Sequence, residues 1–102
     1  MPITIGKYSF EGPYQSTYGI EDRSGVYAIL CSNGNGNYSL LDVGESATVK
    51  TRLDSHDRRD CWTKKCAAPN FAVYYTPNLQ SAGRVTIEQE IRNKYNPPCG
   101  II

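Results

Sequence analysis

The sequence predicts an α/β (α+β) domain with a small, three-stranded, mainly antiparallel sheet flanked by helices. A turn rich in glycine and asparagine at 32–37 separates two short apolar runs, and a third apolar run follows at 71–76. Helical patterns at 46–56 and 81–95 alternate with these runs, giving the order β-β-α-β-α. At 102 residues, the chain is long enough to bury one core.

The segment 25–43 is predicted to be a β-hairpin. Its first strand contains the apolar run from Val26 to Leu30, and its second strand is Tyr38–Val43. The intervening Ser-Asn-Gly-Asn-Gly-Asn sequence suits a tight turn, because glycine and asparagine tolerate the positive φ angles that such turns require.

The first helix is predicted to begin at an N-cap, Ser46, and to continue to about His56. Val49 and Leu53 are four residues apart and give this helix an apolar stripe. It therefore has one face that can pack against the sheet.

The remaining elements are a third strand at 71–76 and a second helix. This helix is predicted to begin at Ser81 or Gly83 and to end near Tyr95, with an apolar stripe of Ile87, Ile91 and Tyr95 at steps of four. Two prolines at 97–98 cannot continue it, because proline lacks the backbone N–H that a helix needs.

The first 23 residues carry the weakest pattern. Residues 7–10 suit a short strand and 11–13 suit a turn after it. We therefore expect a single domain, 1–102, in which 1–23 is an N-terminal extension of uncertain structure and 24–100 is the core.

The charge distribution points to one surface rather than to the whole protein. The net charge is only +1, yet residues 50–65 contain six basic and three acidic side chains. Such a patch can face a phosphate backbone, although a solvated helix and loop of mixed charge is the alternative. The expected nucleic-acid-binding residues are Lys50, Arg58, Arg59, Lys64 and Lys65.

The four cysteines are Cys31, Cys61, Cys66 and Cys99. They are too few to indicate a disulfide scaffold, and Met1–Ile5 shows no secretory pattern. We therefore expect reduced thiols and a cytoplasmic location, with no membrane-spanning segment. The alternative is a zinc-stabilised interaction domain in which His56 joins three of these cysteines as ligands.

Four residues of complementary chemistry follow one another along the predicted elements. Tyr27 lies in the first hairpin strand, Arg52 and His56 share a predicted helix face, and Glu88 lies on the second helix. Phosphodiester cleavage needs an activated water, a cation for the five-coordinate phosphorus and help for the leaving oxygen. We expect Tyr27, Asp42, Arg52 and Glu88 to line one concave surface.

These segments, in this order, resemble the GIY-YIG endonuclease family over residues 24–100. Gly25-Val26-Tyr27 is similar to the first family motif and Asp42-Val43-Gly44 to the second. The resemblance implies cleavage of nucleic acid that depends on Mg²⁺ or Mn²⁺, and we expect the substrate to be double-stranded DNA. It also implies that a protein partner or a homo-oligomer supplies specificity, since members often act beside a recognition domain.

The resemblance implies a catalytic role for each matching residue. Tyr27 would contact the attacking water, Arg52 would stabilise the charged phosphorane, and Glu88 would bind the metal. His56 would either transfer a proton or satisfy the end of the first helix. Glu88 also has a structural alternative, an exposed salt-bridge ladder with Arg84 and Arg92, which lie four residues before and after it.

Two departures from the family pattern bear on activity. Asp42 stands where the second motif begins with tyrosine, and Cys99-Gly100 stands where members carry asparagine. Asp42 is therefore either a metal ligand, a base that replaces tyrosine, or a residue of a chain that has lost catalysis. A catalytically impaired nucleic-acid-binding module of the same fold remains the alternative function.

Overall fold

One antiparallel sheet of five strands organises the computed structural model, which describes residues 2–100. The strands are Ile3–Ile5 (β1), Tyr8–Tyr14 (β2), Gly25–Ser32 (β3), Tyr38–Ser46 (β4) and Asn70–Tyr75 (β5). Their order across the sheet is β1-β2-β5-β3-β4. The helices are Val49–Asp54 (α1), Arg59–Lys65 (α2) and Ser81–Tyr95 (α3). The α+β class is confirmed, whereas the predicted number of three strands is wrong.

The predicted hairpin is present as β3 and β4. β3 lies between β4 and β5 and pairs with both, so that Tyr27 lies opposite Gly44 on one side and Val73 on the other. Successive residues of a strand point to opposite faces of its sheet. The apolar run Val26–Leu30 is therefore buried on both faces.

The two faces of the sheet carry different helices. On one face Tyr27 and Ile29 belong to a core with Leu53 of α1 and Trp62 of α2. On the other face Val26, Ala28 and Val43 pack with Ile87 and Ile91, the predicted apolar stripe of α3. A residue on α1 and a residue on α3 can therefore meet only around the edge of the sheet.

The N-terminal residues supply two of the five strands. The turn predicted at 11–13 is wrong, because these residues lie inside β2, which pairs with β5. Gly12 makes this possible: its φ is +113°, and a Cβ there would lie 2.8 Å from the Phe71 carbonyl oxygen. The pairing register of β2 with β5 shifts between Glu11 and Tyr14, as happens at a β-bulge.

The first predicted helix is longer than the observed one. The β3–β4 ladder continues to the pair Gly25–Ser46, so Ser46 ends a strand and is not an N-cap. α1 begins at Val49 and ends at Asp54, which leaves His56 beyond the helix. The helix α2 has no counterpart in the prediction.

No helix within residues 2–100 is long and apolar enough to cross a membrane.

All four cysteines form disulfides, so the prediction of reduced thiols is wrong. Cys31 on β3 bonds to Cys66 at the end of α2, and Cys61 of α2 bonds to Cys99 after α3. The expected cytoplasmic location loses its basis, because disulfides persist mainly in oxidising compartments. The thiolates that the zinc alternative requires are also absent. Sequence spacing gave no sign of this pairing, because the partners are 35 and 38 residues apart.

Breaking the Cys61–Cys99 bond by Cys61→Ser with Cys99→Ser should lower the free energy of unfolding by about 2–4 kcal/mol, because the bond restricts the unfolded chain. For a chain of this size the melting temperature should fall by roughly 10–25 °C. Thermal unfolding followed by circular dichroism measures the effect. Four titratable thiols in the native parent protein, or an unchanged melting temperature, would contradict the assignment.

Candidate active site

A buried tyrosine–histidine pair lies at the centre of the α1–α2 face. The Tyr27 side chain is only 1% exposed, and its Oη lies 2.7 Å from His56 Nε2. His56 Nδ1 accepts the backbone N–H of Arg58 at 3.0 Å. A neutral imidazole has one proton, so the ring carries it on Nε2 and donates it to the Tyr27 oxygen.

Gly44 creates the space for the Tyr27 hydroxyl. It is the cross-strand partner of Tyr27, and a Cβ at this position would overlap the tyrosine ring and its oxygen. Glycine is therefore required at position 44, in the second sequence motif, for steric reasons and not for its φ angle. Any side chain at this position would displace the hydroxyl from His56.

Both members of the pair are neutral at pH 7. Burial raises the pKa of Tyr27 to about 12, although the positive charge of Arg52 acts in the opposite direction. Burial, together with the positive charges of Arg52 and Arg58, lowers the pKa of His56 to about 4. Asp57 Oδ1 lies 3.3 Å from His56 Nδ1, but a neutral ring makes no ion pair with it.

Arg52 is the accessible cation beside this pair. Its side chain is 37% exposed, and its Nη2 lies 3.0 Å from Oδ1 of Asp57, whose side chain is 74% exposed. An exposed pair of this kind contributes roughly 0–1 kcal/mol to stability. A phosphate could therefore replace Asp57 as the partner of Arg52 at little cost.

Asp42 is a fully buried carboxylate at the centre of an ion cluster. Its Oδ2 accepts hydrogen bonds from Arg58 Nε at 2.7 Å and from Trp62 Nε1 at 2.8 Å. Its Oδ1 accepts from Arg92 Nη2 at 2.9 Å and from the backbone N–H of Val43. Asp42 is thus surrounded by donors, a setting that suits a structural counter-ion better than a metal ligand or a base.

The segment after α3 closes this cluster. Arg92 also donates to the carbonyls of Cys99 and Val43, and the Cys99 N–H donates to the Leu41 carbonyl. Gly100 has a φ of +82°, and a Cβ there would lie 2.9 Å from Asp42 Oδ1. Glycine is therefore required at position 100 for its conformation and for its size.

Glu88 approaches from the opposite face of the sheet. It lies on α3, where its Oε2 is 3.6 Å from Arg92 Nη2, and its side chain is 18% exposed. Burial raises the pKa of Glu88, while the charge of Arg92 opposes that shift. Glu88 is thus connected to Asp42 through Arg92 around the edge of β4. It does not share a face with Tyr27, so the expectation that Glu88 lines one concave surface with Tyr27 and Arg52 is wrong.

A second ion pair joins α3 to the start of β3. Arg84 is buried; its Nε donates to Glu45 at 2.8 Å and its Nη1 donates to Ser24 at 3.0 Å. The ladder of Arg84, Glu88 and Arg92 that the sequence allowed is therefore incomplete, because Arg84 pairs elsewhere.

The five predicted basic residues have different surroundings. Arg59, Lys64 and Lys65 are exposed on α2, where they form a positive surface. Lys50 is half-buried and donates to the Thr17 carbonyl, and Arg58 is engaged with Asp42. Arg59 also donates to the Leu53 carbonyl at 2.9 Å, so Lys64 and Lys65 are the two of the five whose side chains make no such contact among the described residues.

No pattern in the sequence indicated that Trp62 and Arg92 would bind Asp42. The position of Asp42 did indicate a buried charge, because it lies within the otherwise apolar strand sequence Leu40-Leu41-Asp42-Val43. A buried charge requires partners, so this pattern indicates an ion cluster without naming its members.

The side chains that could bind a metal ion supply very few ligands. Within residues 2–100 no three His, Cys, Asp or Glu side chains lie close enough together to bind a metal ion. Glu88 supplies one carboxylate beside a cleft. That suits Mg²⁺ only where water and phosphate oxygens complete its shell.

No family model, curated protein or solved structure matches this chain. The site must therefore be interpreted from its own geometry and chemistry.

Replacing Asp42 with asparagine should lower the free energy of unfolding by about 3–5 kcal/mol, because two arginines lose their buried counter-ion. The matched control is Asp57→Asn, which removes an exposed partner of Arg52 and should cost less than about 1 kcal/mol. Urea unfolding measures both values. Equal, small losses in the two variants would show that the buried cluster does not stabilise the fold.

Acid should destabilise the protein through His56, the chain's single histidine. Its pKa of about 4 in the folded state lies below the ordinary 6.5, so the unfolded chain binds a proton first. The lowered pKa of His56 corresponds to about 3 kcal/mol of the free energy of unfolding. This contribution is present above pH 6.5 and is lost as the pH falls towards 4. A His56→Gln protein should lack this component in urea unfolding across that pH window. A histidine titrating near 6.5 in the folded parent by NMR would contradict the burial argument.

Proposed function

We propose that the protein is a metal-dependent endonuclease that hydrolyses phosphodiester bonds in nucleic acid, most simply double-stranded DNA. The observation that carries the proposal is the contact of Tyr27 with His56 beside Arg52. Tyr27 is on the hairpin strand and Arg52 on the first helix, as the GIY-YIG resemblance expects, and His56 lies just beyond that helix. The exposed basic residues of α2 are on the same face of the sheet and supply a surface for the phosphate backbone.

The tyrosine would act first as a positioned hydrogen-bonding group. His56 donates to the Tyr27 oxygen, so the phenolic proton is available to the attacking water or to a phosphate oxygen. With a pKa of about 12, Tyr27 cannot serve as a base at pH 7 unless another positive charge comes close. The site must also open, because the hydroxyl is buried.

Arg52 would bind the scissile phosphate and stabilise its developing charge. Its planar guanidinium can donate to two phosphate oxygens at once. Glu88 would hold a Mg²⁺ or Mn²⁺ ion, which would supply Lewis-acid neutralisation of the phosphate. Because Glu88 lies around the edge of β4 from Tyr27, the opening of the site would also have to bring this ion to the phosphate. Specificity is expected to come from a partner protein or a second copy.

A binding module that has lost catalysis is the second candidate. It is favoured by the enclosure of Asp42 by donors and by the position of Glu88 on the opposite face of the sheet from Tyr27. This candidate keeps the basic surface of α2. In either case the two disulfides favour an oxidising compartment over the cytoplasm.

The decisive variants are Glu88→Gln and Arg52→Gln in a Mg²⁺-dependent nicking assay on supercoiled DNA. Each should reduce turnover by about 10²–10³, because each group would act most strongly in the transition state. The matched control, Glu90→Gln, changes an exposed glutamate that contacts Tyr8 and Lys7 and should cleave at the parent rate. Parent-rate cleavage by Glu88→Gln would refute its role. DNA binding without any cleavage by the parent would favour the second candidate.

A further inference from the structure

A polar cleft of about 410 Å³ opens on the outer side of the Asp42 cluster. Arg58 and Gly100 form one wall, and Glu88, Gln89 and Asn93 of α3 form the other. Its volume is within the range of about 300–1,000 Å³ that is common for small-molecule sites. Neither Tyr27 nor Arg52 lines it, so the cleft is separate from the tyrosine–histidine pair.

The cationic side of the cleft is fixed in place. Arg58 binds Asp42 through Nε at 2.7 Å and Nη2 at 3.4 Å, while its side chain remains 30% exposed. Its other terminal nitrogen makes no hydrogen bond to the described residues. A guanidinium held in this way loses little conformational freedom when it binds an anion.

The opposite side of the cleft is rich in amides. Gln89 and Asn93 are exposed and lie four residues apart on α3, so they share one side of the helix. Each carries both a donor and an acceptor. Arg92 and Glu88 also line the cleft, but Arg92 pairs with Glu88 and with Asp42, so Arg58 is the lining cation that can bind an anion.

We propose that this cleft binds one nucleotide of the nucleic-acid substrate, with its phosphate on Arg58 and its base on the amides of Gln89 and Asn93, which leaves Glu88 for the metal. The arrangement of the lining residues carries the assignment, because a phosphate at one end and a base with donors and acceptors at the other match a cleft that is cationic at Arg58 and rich in amides along α3. The inference rests on the proposed function, to which it adds a subsite separate from Tyr27.

The test is an NMR titration of the full-length protein with deoxyguanosine 3′,5′-bisphosphate in EDTA, so that neither metal nor cleavage is involved. Saturable shifts should appear at the side-chain signals of Arg58, Gln89 and Asn93. Asn93→Ala should raise the dissociation constant by about 3- to 10-fold, the effect of one hydrogen bond. Arg58→Lys should weaken binding at least as much, because it replaces the two-pronged contact by a point charge.

The matched control is Asn35→Ala, which removes an exposed asparagine in the β3–β4 turn and should leave binding unchanged. Circular dichroism shows whether Arg58→Lys folds, and Asn93→Ala provides a test that does not disturb the Asp42 cluster. Shifts confined to Lys64 and Lys65, or inorganic phosphate binding as tightly as the nucleotide, would overturn the proposal. Binding in the cleft without DNA cleavage would refute the nuclease function and support the subsite. Cleavage of DNA without nucleotide binding in the cleft would support the nuclease function and refute the subsite.

Discussion

The buried carboxylate of Asp42 is the constraint on which the other parts of this structure depend. A charge with no exposed surface is tolerated only where opposite charges and hydrogen-bond donors surround it. Asp42 meets that requirement by drawing in Arg58 from before α2, Trp62 from α2 and Arg92 from α3. Since α2 and α3 lie on opposite faces of the sheet, one side chain on β4 connects both layers.

The same cluster determines the state of the tyrosine–histidine pair. Arg58 binds Asp42 with its side chain and donates its backbone N–H to His56, which fixes the ring proton on Nε2. That proton then holds the hydroxyl of Tyr27 against Gly44. The Cys61–Cys99 disulfide holds α2 to the segment that closes over Asp42. A disturbance of the cluster should therefore reach Tyr27 through these contacts.

Local patterns predicted the elements whose causes are local. Glycine and asparagine at 32–37 specify the β3–β4 turn, and the apolar stripe of α3 and the prolines at 97–98 specify that helix and its end. The extent of β4 could not be predicted, because Ser46 suits an N-cap locally while pairing with Gly25 extends the strand. For a similar reason β1 was not predicted, and β2 was predicted only as a short strand at 7–10, since the pairing of β2 with β5 joins residues distant in the sequence.

The candidate site shows the same division. The residue types at 27, 52 and 56 suggested a shared site, and Tyr27 and His56 are in contact beside Arg52. Pairing between distant residues decided the rest: the disulfides, the partners of Asp42, and the placement of Glu88 around the sheet edge. None of these contacts has a fixed spacing along the chain, so no pattern in the sequence specifies them.

The most direct measurement of the central claim is hydrogen exchange at the indole N–H of Trp62, the chain's single tryptophan. This group is buried and donates to Asp42 Oδ2 at 2.8 Å. If the cluster holds the fold together, the indole proton should exchange only when the protein unfolds globally, with a free energy of exchange equal to that of unfolding. Exchange at the rate of an exposed indole, in a protein that remains folded by circular dichroism, would contradict the account.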